Sequence, residues 1–275
     1  QKDGRLYYMS KNFRNIVMNK TDNMYTPNRS LSIGSLVMIL IGIVSAIIAF
    51  TTDSHAAWTS LLFNNYFFLG ISLFAVFFVA LQYVAEAGWA TILKRVPEAI
   101  MTFLPYTSAV MLFIVVTAVL HFGGNHIYHW LEPGIMTEGS PNYDAIIAGK
   151  EPYLNATFFL IRSFLYVIIW IYCARRLRQI SLEGDLEGNI GEKSYWKGLR
   201  VSGWFIVFFA ITSSTAAWDW IMSIDTHWFS TLFGWYIFSE WATIGFASIL
   251  LMTLLLNKQG YLKYLNDSHI HDLGK

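Results

Sequence analysis

The chain has 275 residues, of which 55% are hydrophobic and 13% charged, and its 19 basic and 18 acidic residues leave a formal charge of +1. This near-balance argues against a nucleic-acid-binding protein, and the low charge together with a mean hydropathy of +0.44 excludes an intrinsically disordered chain. Because the chain has a single cysteine, a disulfide scaffold, a zinc knuckle and a self-contained iron–sulfur site are excluded as well. The composition is typical of a membrane protein.

Six long apolar windows follow one another along the chain, and about 20 such residues are enough to cross a bilayer as a helix. We predict spans over residues 31–50, 62–83, 101–122, 154–174, 201–222 and 231–256. The sequence therefore predicts an all-α integral membrane protein, with a polar segment 1–30 before the first span and a segment 258–275 after the last.

Lysines and arginines indicate how the spans are oriented, because cytoplasmic loops carry an excess of these residues. All 19 basic residues except Lys150 and Arg162 fall on one side of the six-span topology. That side comprises segment 1–30, the loop after the second span, the loop 175–200 and segment 258–275. We therefore expect both ends of the chain in the cytoplasm.

Two connections between the spans have distinctive compositions. Residues 123–152 form the long connection on the opposite side of the membrane and fit either a solvated loop or a docking surface for a partner domain. Residues 181–194, within the loop 175–200, are rich in glycine and glutamate and predict a flexible linker.

Ionisable residues inside a span are costly to insert into a membrane, and each is therefore a candidate functional residue. Arg162 and Glu240 lie about 12 Å from the same side of the membrane at the helical rise per residue, and we predict that they interact. Glu86 lies at the cytoplasmic end of the second span and Asp219 near the opposite end of the fifth. A purely structural ion pair, and for Asp219 helix capping or solvation, are the alternatives.

Helical spacing groups further polar side chains with these residues. Tyr83 precedes Glu86 by three positions, and Thr212 and Thr215 share one helix face with Asp219. The candidate proton-path residues are Tyr83, Glu86, Arg162, Thr212, Thr215, Asp219 and Glu240. These residues predict two partial proton paths, one that leads in from the cytoplasm and one that leads to the opposite side of the membrane. The structural alternative for the hydroxyl groups is interhelical hydrogen bonding.

The histidines argue against a haem site within this chain. A membrane cytochrome b needs pairs of histidines on facing helices, and only His121 falls within a predicted span, near its end. Cys173 is predicted to be a small buried hydrophobic residue rather than a ligand. We therefore expect this chain alone to bind no haem, iron–sulfur cluster or metal ion.

Four motifs, in order along the chain, resemble one family of membrane proteins. The first motif comprises residues 86–89, 93–99 and 104–105. The second comprises Lys150, residues 152–155, Phe158, Phe159, Arg162, Tyr166 and Trp170. The third comprises residues 217–223 and 227–231, and the fourth residues 269–275. The chain is similar to one of the two polysulfide-reductase-like membrane subunits of bacterial alternative complex III, a quinol:cytochrome c oxidoreductase. The resemblance covers the second to the sixth predicted span.

The resemblance implies an all-helical fold of about ten spans in which two four-helix bundles account for most of the helices. The chain is therefore expected to be truncated after Lys275, with an incomplete second bundle. It also implies a complex in the bacterial inner membrane with a sister polysulfide-reductase-like subunit, multihaem cytochrome c subunits and an iron–sulfur subunit. Haem c and the iron–sulfur clusters belong to those partners, and quinone is a candidate ligand of this chain, at Asp219 and His227.

Two classes of function remain. The first is a membrane subunit of a respiratory quinol-oxidising complex, which acts in electron transport as a scaffold, with candidate proton translocation, and is not catalytic alone. The alternative is an ion-coupled secondary transporter. Transporters tend to have broken helices in paired repeats, whereas here only Pro105 interrupts a span, which disfavours that class. Membrane lipids are expected partners in either case.

Overall fold

A computed structural model describes residue 25 and residues 27–186, 192–262 and 264–274, so most of segment 1–30 and Lys275 lie outside the described residues. Within those ranges the regular structure is helical and includes no strand. The α-helices are α1 (Arg29–Thr52), α2 (Ser54–Val84), α3 (Arg95–Ile100), α4 (Leu104–Val119), α5 (Ala145–Ala148), α6 (Ala156–Leu186), α7 (Glu192–Trp220), α8 (Phe233–Lys258) and α9 (Asp267–Gly274).

Six helical segments among the described residues are long and apolar enough to cross a membrane: α1, α2, the continuous α3–α4 segment, α6, α7 and α8. This confirms the prediction of an all-α multi-pass membrane protein. The third span begins earlier than predicted, because α3 runs into the 3₁₀ turn Met101–Phe103 and then into α4. Pro105 lies in the first turn of α4, where a missing N–H group is tolerated.

The described parts of the predicted loop 175–200, residues 175–186 and 192–200, are helical, whereas residues 187–191, in the middle of the predicted flexible linker 181–194, lie outside the described residues. α6 continues to Leu186 and α7 begins at Glu192. Charged residues such as Arg, Lys and Glu favour helix outside a membrane as well as any apolar residue, so a helix does not end where the apolar window ends. Ion pairs that join Glu183 to basic side chains of both helices stabilise these extensions.

Four spans form the core of the protein. α2, α4, α6 and α7 contact one another in a closed ring, which is the arrangement of a four-helix bundle. α8 packs outside the ring, in the groove between α2 and α7. Two glycines allow this close approach: a Cβ atom at Gly70 would lie 2.2 Å from Trp241 Cδ1, and one at Gly245 would lie 2.2 Å from Phe74 Cδ1.

The first span is separate from the bundle. None of the residues of α1 is buried, and its main contacts are with α2, to which Asp53 connects it. The Asp53 side chain accepts a hydrogen bond from the Ala56 backbone N–H and so caps the start of α2. The apolar surface of α1 is therefore free to contact lipid or another membrane helix.

Residues 120–155 cover one end of the bundle, which we call the loop end; the opposite end, at residues 85–94, is the turn end. Tyr128, Trp130 and Ile147 are buried and anchor this connection to the bundle, whereas about half of its residues are exposed to solvent. The prediction that His121 lies inside a span is wrong: α4 ends at Val119, and His121 is exposed with a φ of 51°.

Candidate functional site

Arg162 on α6 and Asp219 on α7 form a buried ion pair at the loop end of the bundle. Arg162 Nε lies 2.8 Å from Asp219 Oδ2, and Nη2 lies 2.7 Å from Oδ1, which is the two-point geometry that guanidinium and carboxylate groups favour. Asp219 is 0% exposed and Arg162 is 7% exposed. Asp219 is therefore neither a solvated interfacial residue nor a surface cap.

The predicted interaction of Arg162 with Glu240 is wrong. Equal depth in the membrane places two residues at one level, but it does not fix the direction in which either side chain points. α8 turns Ile237, Trp241 and Gly245 towards the bundle, and each successive residue on a helix is rotated by about 100°. Glu240, next to Trp241, therefore lies on the exposed side of α8.

Three further groups surround the ion pair. Tyr166 donates a hydrogen bond of 2.9 Å to Asp219 Oδ2, and Arg162 Nη1 donates one of 3.1 Å to the backbone oxygen of Tyr153. The guanidinium carbon of Arg162 lies 4.0 Å and 4.1 Å from the ring centroids of Tyr153 and Phe158. Aromatic faces attract a cation, so both charges are compensated inside the protein.

A hydrogen bond between α6 and α7 continues this polar cluster towards the middle of the membrane. Trp170 Nε1 donates to Thr212 Oγ1 at 2.9 Å, whereas Thr215 is half-buried and donates to the backbone of its own helix. Arg162, Tyr166 and Trp170 follow one another at intervals of four and so share one face of α6. That spacing was available in the sequence as a sign that Tyr166 and Trp170 belong to the site.

An aromatic barrier closes the middle of the bundle below this cluster. Between Thr212 and Ser202, which are about 15 Å apart along the helix, α7 has nine residues without a hydroxyl, amide or charged side chain. Phe205 and Phe209 fill this interval, and both are buried. Phe77 of α2 stacks on Phe209 with ring centroids 5.0 Å apart. The polar side chains of α7 therefore fall into two separate clusters, and a further buried polar contact joins α2 to α4, where Ser72 Oγ lies 3.3 Å from Thr107 Oγ1.

A cavity of about 440 Å³, the turn-end cavity, contains the second cluster. Tyr83, Glu86 and Lys94 line it, together with Tyr195 of α7. α2 ends at Val84, and Glu86, which follows the helix, has a φ of 51°. Tyr83 and Glu86 therefore do not share a helix face, contrary to the prediction from their spacing. The turn after α2 nevertheless brings both side chains to the same cavity.

Glu98 of α3 is a buried carboxylate that the sequence reasoning missed. It is 0% exposed; Arg95 Nη1 donates a hydrogen bond to Oε2, whereas Oε1 has no hydrogen-bond partner and lies 4.0 Å from Lys94 Nζ. Arg95 also contacts Ser181 and Asp185 of α6. Glu98 fell in a predicted loop, although its spacing of three and four residues from two cations was a signal for an ion-pair cluster.

His227 and Asp144 link the 120–155 connection to residues 221–232, which connect α7 to α8 at the loop end. His227 Nε2 lies 2.7 Å from Asp144 Oδ2. The predicted quinone-binding pair, Asp219 and His227, is not brought together, because Asp219 is bound by Arg162 and His227 by Asp144. Cys173 is buried, as predicted.

The contact between Asp144 and its neighbours is expected to weaken in acid. Hydrogen bonds from the Ile147 backbone N–H and from His227 stabilise the ionised carboxylate and lower the pKa of Asp144 from its usual 3.8. Since the pKa is lower in the folded protein, this stabilisation is present above the usual value and is lost as the pH falls through the lower one. The hydrogen-exchange protection of residues 144–148, measured relative to the intrinsic exchange rate at each pH, should therefore fall below about pH 4, and Asp144→Asn should abolish this acid-dependent step.

Comparisons with known proteins do not identify the chain. No protein-family model matches it, and no curated protein matches it. In the described ranges, 25, 27–186, 192–262 and 264–274, no group of three or more His, Cys, Asp or Glu side chains is placed to hold a metal ion.

Proposed function

We propose that this chain is a membrane subunit of a bacterial quinol:cytochrome c oxidoreductase of the alternative complex III type. The four sequence motifs support this proposal, because the second and third of them supply the side chains of the buried cluster: Arg162, Tyr166 and Trp170 on α6 and Asp219 on α7. The protein would lie in the inner membrane with its N-terminus in the cytoplasm and its loop end outside.

In this proposal the chain is not catalytic alone. Haem c and the iron–sulfur clusters belong to multihaem cytochrome c and iron–sulfur partners, and quinol is oxidised at a sister polysulfide-reductase-like subunit. Quinone binding by this chain has less support, since Asp219 and His227 each have another partner.

Proton translocation is the activity that the polar side chains of the bundle support best. The observation that carries it is the pair of polar clusters at opposite ends: Arg162, Asp219 and Tyr166 at the loop end, and the turn-end cavity with Tyr83 and Glu86. Ionisable groups inside a membrane bundle are characteristic of proton paths. The aromatic barrier between the clusters would prevent a passive leak, so a proton would cross only when the barrier opens. Glu240, on the exposed side of α8, lies outside this path.

Purification through an affinity tag on this chain tests the proposed complex. In a mild detergent, covalent haem, an iron–sulfur protein and quinol:cytochrome c reductase activity should elute together with the tagged chain. A chain that elutes without cytochromes and catalyses ion-coupled solute uptake in vesicles would instead be a secondary transporter.

The aromatic barrier gives a second test. Phe209→Ala should raise the passive proton permeability of vesicles that contain the complex several-fold, because removal of a buried ring opens space for water between the two clusters. Quinol oxidation should persist while net proton translocation falls. Phe208→Ala is the matched control, since Phe208 is adjacent but exposed on the surface of α7. Equal permeability of the two variants would contradict the proposed barrier.

The orientation can be measured directly by cysteine labelling. Asn142 in the 120–155 connection and Asn257 at the end of α8 are both exposed. In a Cys173→Ala background, a cysteine at position 142 should react with a membrane-impermeant maleimide added to intact cells. A cysteine at position 257 should react only after the inner membrane is opened, and the opposite pattern would reverse the topology.

A further inference from the structure

A second cavity lies at the loop end, outside the buried ion pair. Side chains from two stretches, within residues 149–154 and within residues 218–229, line a cavity of about 240 Å³, which we call the loop-end cavity. It lies beside the first residues of α6 and the last residues of α7, which places it at the level of the membrane surface. Its walls are mainly aromatic and aliphatic, and they include Leu154, Met222 and Phe229.

Two residues that line this cavity carry a polar atom without a hydrogen-bond partner. They are Trp218, through Nε1, and Thr226, through Oγ1, and both atoms are shielded from solvent, whereas the Tyr153 hydroxyl interacts with Asp219. Thr226 as a whole is only 4% exposed. An unpaired polar atom in a buried position is destabilising, and native proteins contain few of them. Two such atoms beside one cavity indicate a molecule that bonds to them.

The chemistry of the cavity points to an acceptor-rich anion. The indole N–H of Trp218 can only donate a hydrogen bond, and the hydroxyl group of Thr226 can donate one as well. Lys150 adds a positive charge: its ammonium group donates to the backbone oxygen of Thr226 and lies 5.9 Å from the ring centroid of Phe229.

No carboxylate lines the loop-end cavity among the described residues. Asp219, one residue after Trp218, is neutralised by Arg162 and also accepts a hydrogen bond from Tyr166. Glu151 and Asp225 are neighbours in sequence of the lining residues, and both are exposed to solvent. The cavity therefore presents donors and one cation to its occupant, with apolar walls around them.

We propose that the loop-end cavity binds the phosphate group of a membrane phospholipid. A phosphate diester provides several acceptor oxygens and a negative charge, which match the two free polar groups and Lys150. The glycerol and acyl chains would leave along the apolar walls, past Trp228 and Phe229, whose exposed rings flank the cavity. This site is independent of the proposed redox complex, because it depends only on residues of this chain.

Lipid titration of the delipidated protein, together with any subunits that accompany it, tests the phosphate. Phosphatidylglycerol should bind at one site per chain in native mass spectrometry and raise the thermal unfolding midpoint. Diacylglycerol with the same acyl chains should do neither, and inorganic phosphate should not compete. Equal binding of diacylglycerol would overturn the proposal, and so would displacement of the lipid by free phosphate or by a short-chain quinone.

Substitutions then test the cavity. Thr226→Val, Trp218→Phe and Lys150→Met should each weaken phosphatidylglycerol binding about tenfold, as expected for loss of one hydrogen bond to a charged group. Lys258→Met, at the opposite end of α8, and Trp204→Phe, on the exposed surface of α7, are the matched controls. The lipid-free unfolding midpoint of each variant shows whether the fold is intact. Folded variants with unchanged affinity would overturn the proposal.

Discussion

Substitution of Asp219 by asparagine is expected to destabilise the protein by about 3–5 kcal/mol, because it leaves the Arg162 guanidinium buried without a counter-charge. Arg162→Gln should have a comparable effect, since it leaves the fully buried Asp219 carboxylate unpaired. The thermal unfolding midpoint in detergent and the yield of the folded protein measure the loss.

The double variant separates an ion pair from two independent contributions. Arg162→Gln combined with Asp219→Asn should recover part of the lost stability, because no isolated charge remains. Glu240→Gln is the control: Glu240 is ionisable and inside a span, but it is exposed on α8, so its removal should change the stability of the isolated protein little. Strictly additive losses in the double variant would contradict the ion pair.

Gly245→Ala is expected to have the second large effect, a destabilisation of about 1–3 kcal/mol from overpacking. A Cβ atom there would lie 2.2 Å from Phe74 Cδ1 and 2.8 Å from Phe74 Cβ. The Phe74 ring has little room to move, because it packs against the rings of Phe77 and Phe246. α8 should consequently separate from α2.

Gly203, where an added Cβ atom would have open space around it, supplies the matched control. Gly203→Ala meets no atom within 4 Å on α7, so it should be neutral or stabilising by up to about 1 kcal/mol through the higher helix propensity of alanine. Disulfide cross-linking between cysteines introduced on α2 and α8 measures the contact. Unchanged cross-linking in Gly245→Ala would show that Phe74 adapts and that this glycine is not required.

The sequence determined the membrane-spanning character and the number of spans among the described residues. A window of about 20 apolar residues can satisfy its backbone in a bilayer only as a helix, so this property depends on local composition alone. The burial of Cys173 followed from its chemical character in the same way. Helix ends outside the apolar windows, such as Leu186 and Glu192, were predicted less well, because charged residues also favour helix.

The partners of the buried charges were decided only by the tertiary structure. Sequence spacing gives the depth of Arg162 and the helix face on which it lies, but not which neighbouring helix meets that face. Packing places α7 beside α6 within the bundle and α8 outside it, so that Asp219 rather than Glu240 reaches the guanidinium. The burial of Asp219 likewise depends on the 120–155 connection, which folds over the loop end and excludes water from a residue that the sequence places near the membrane surface.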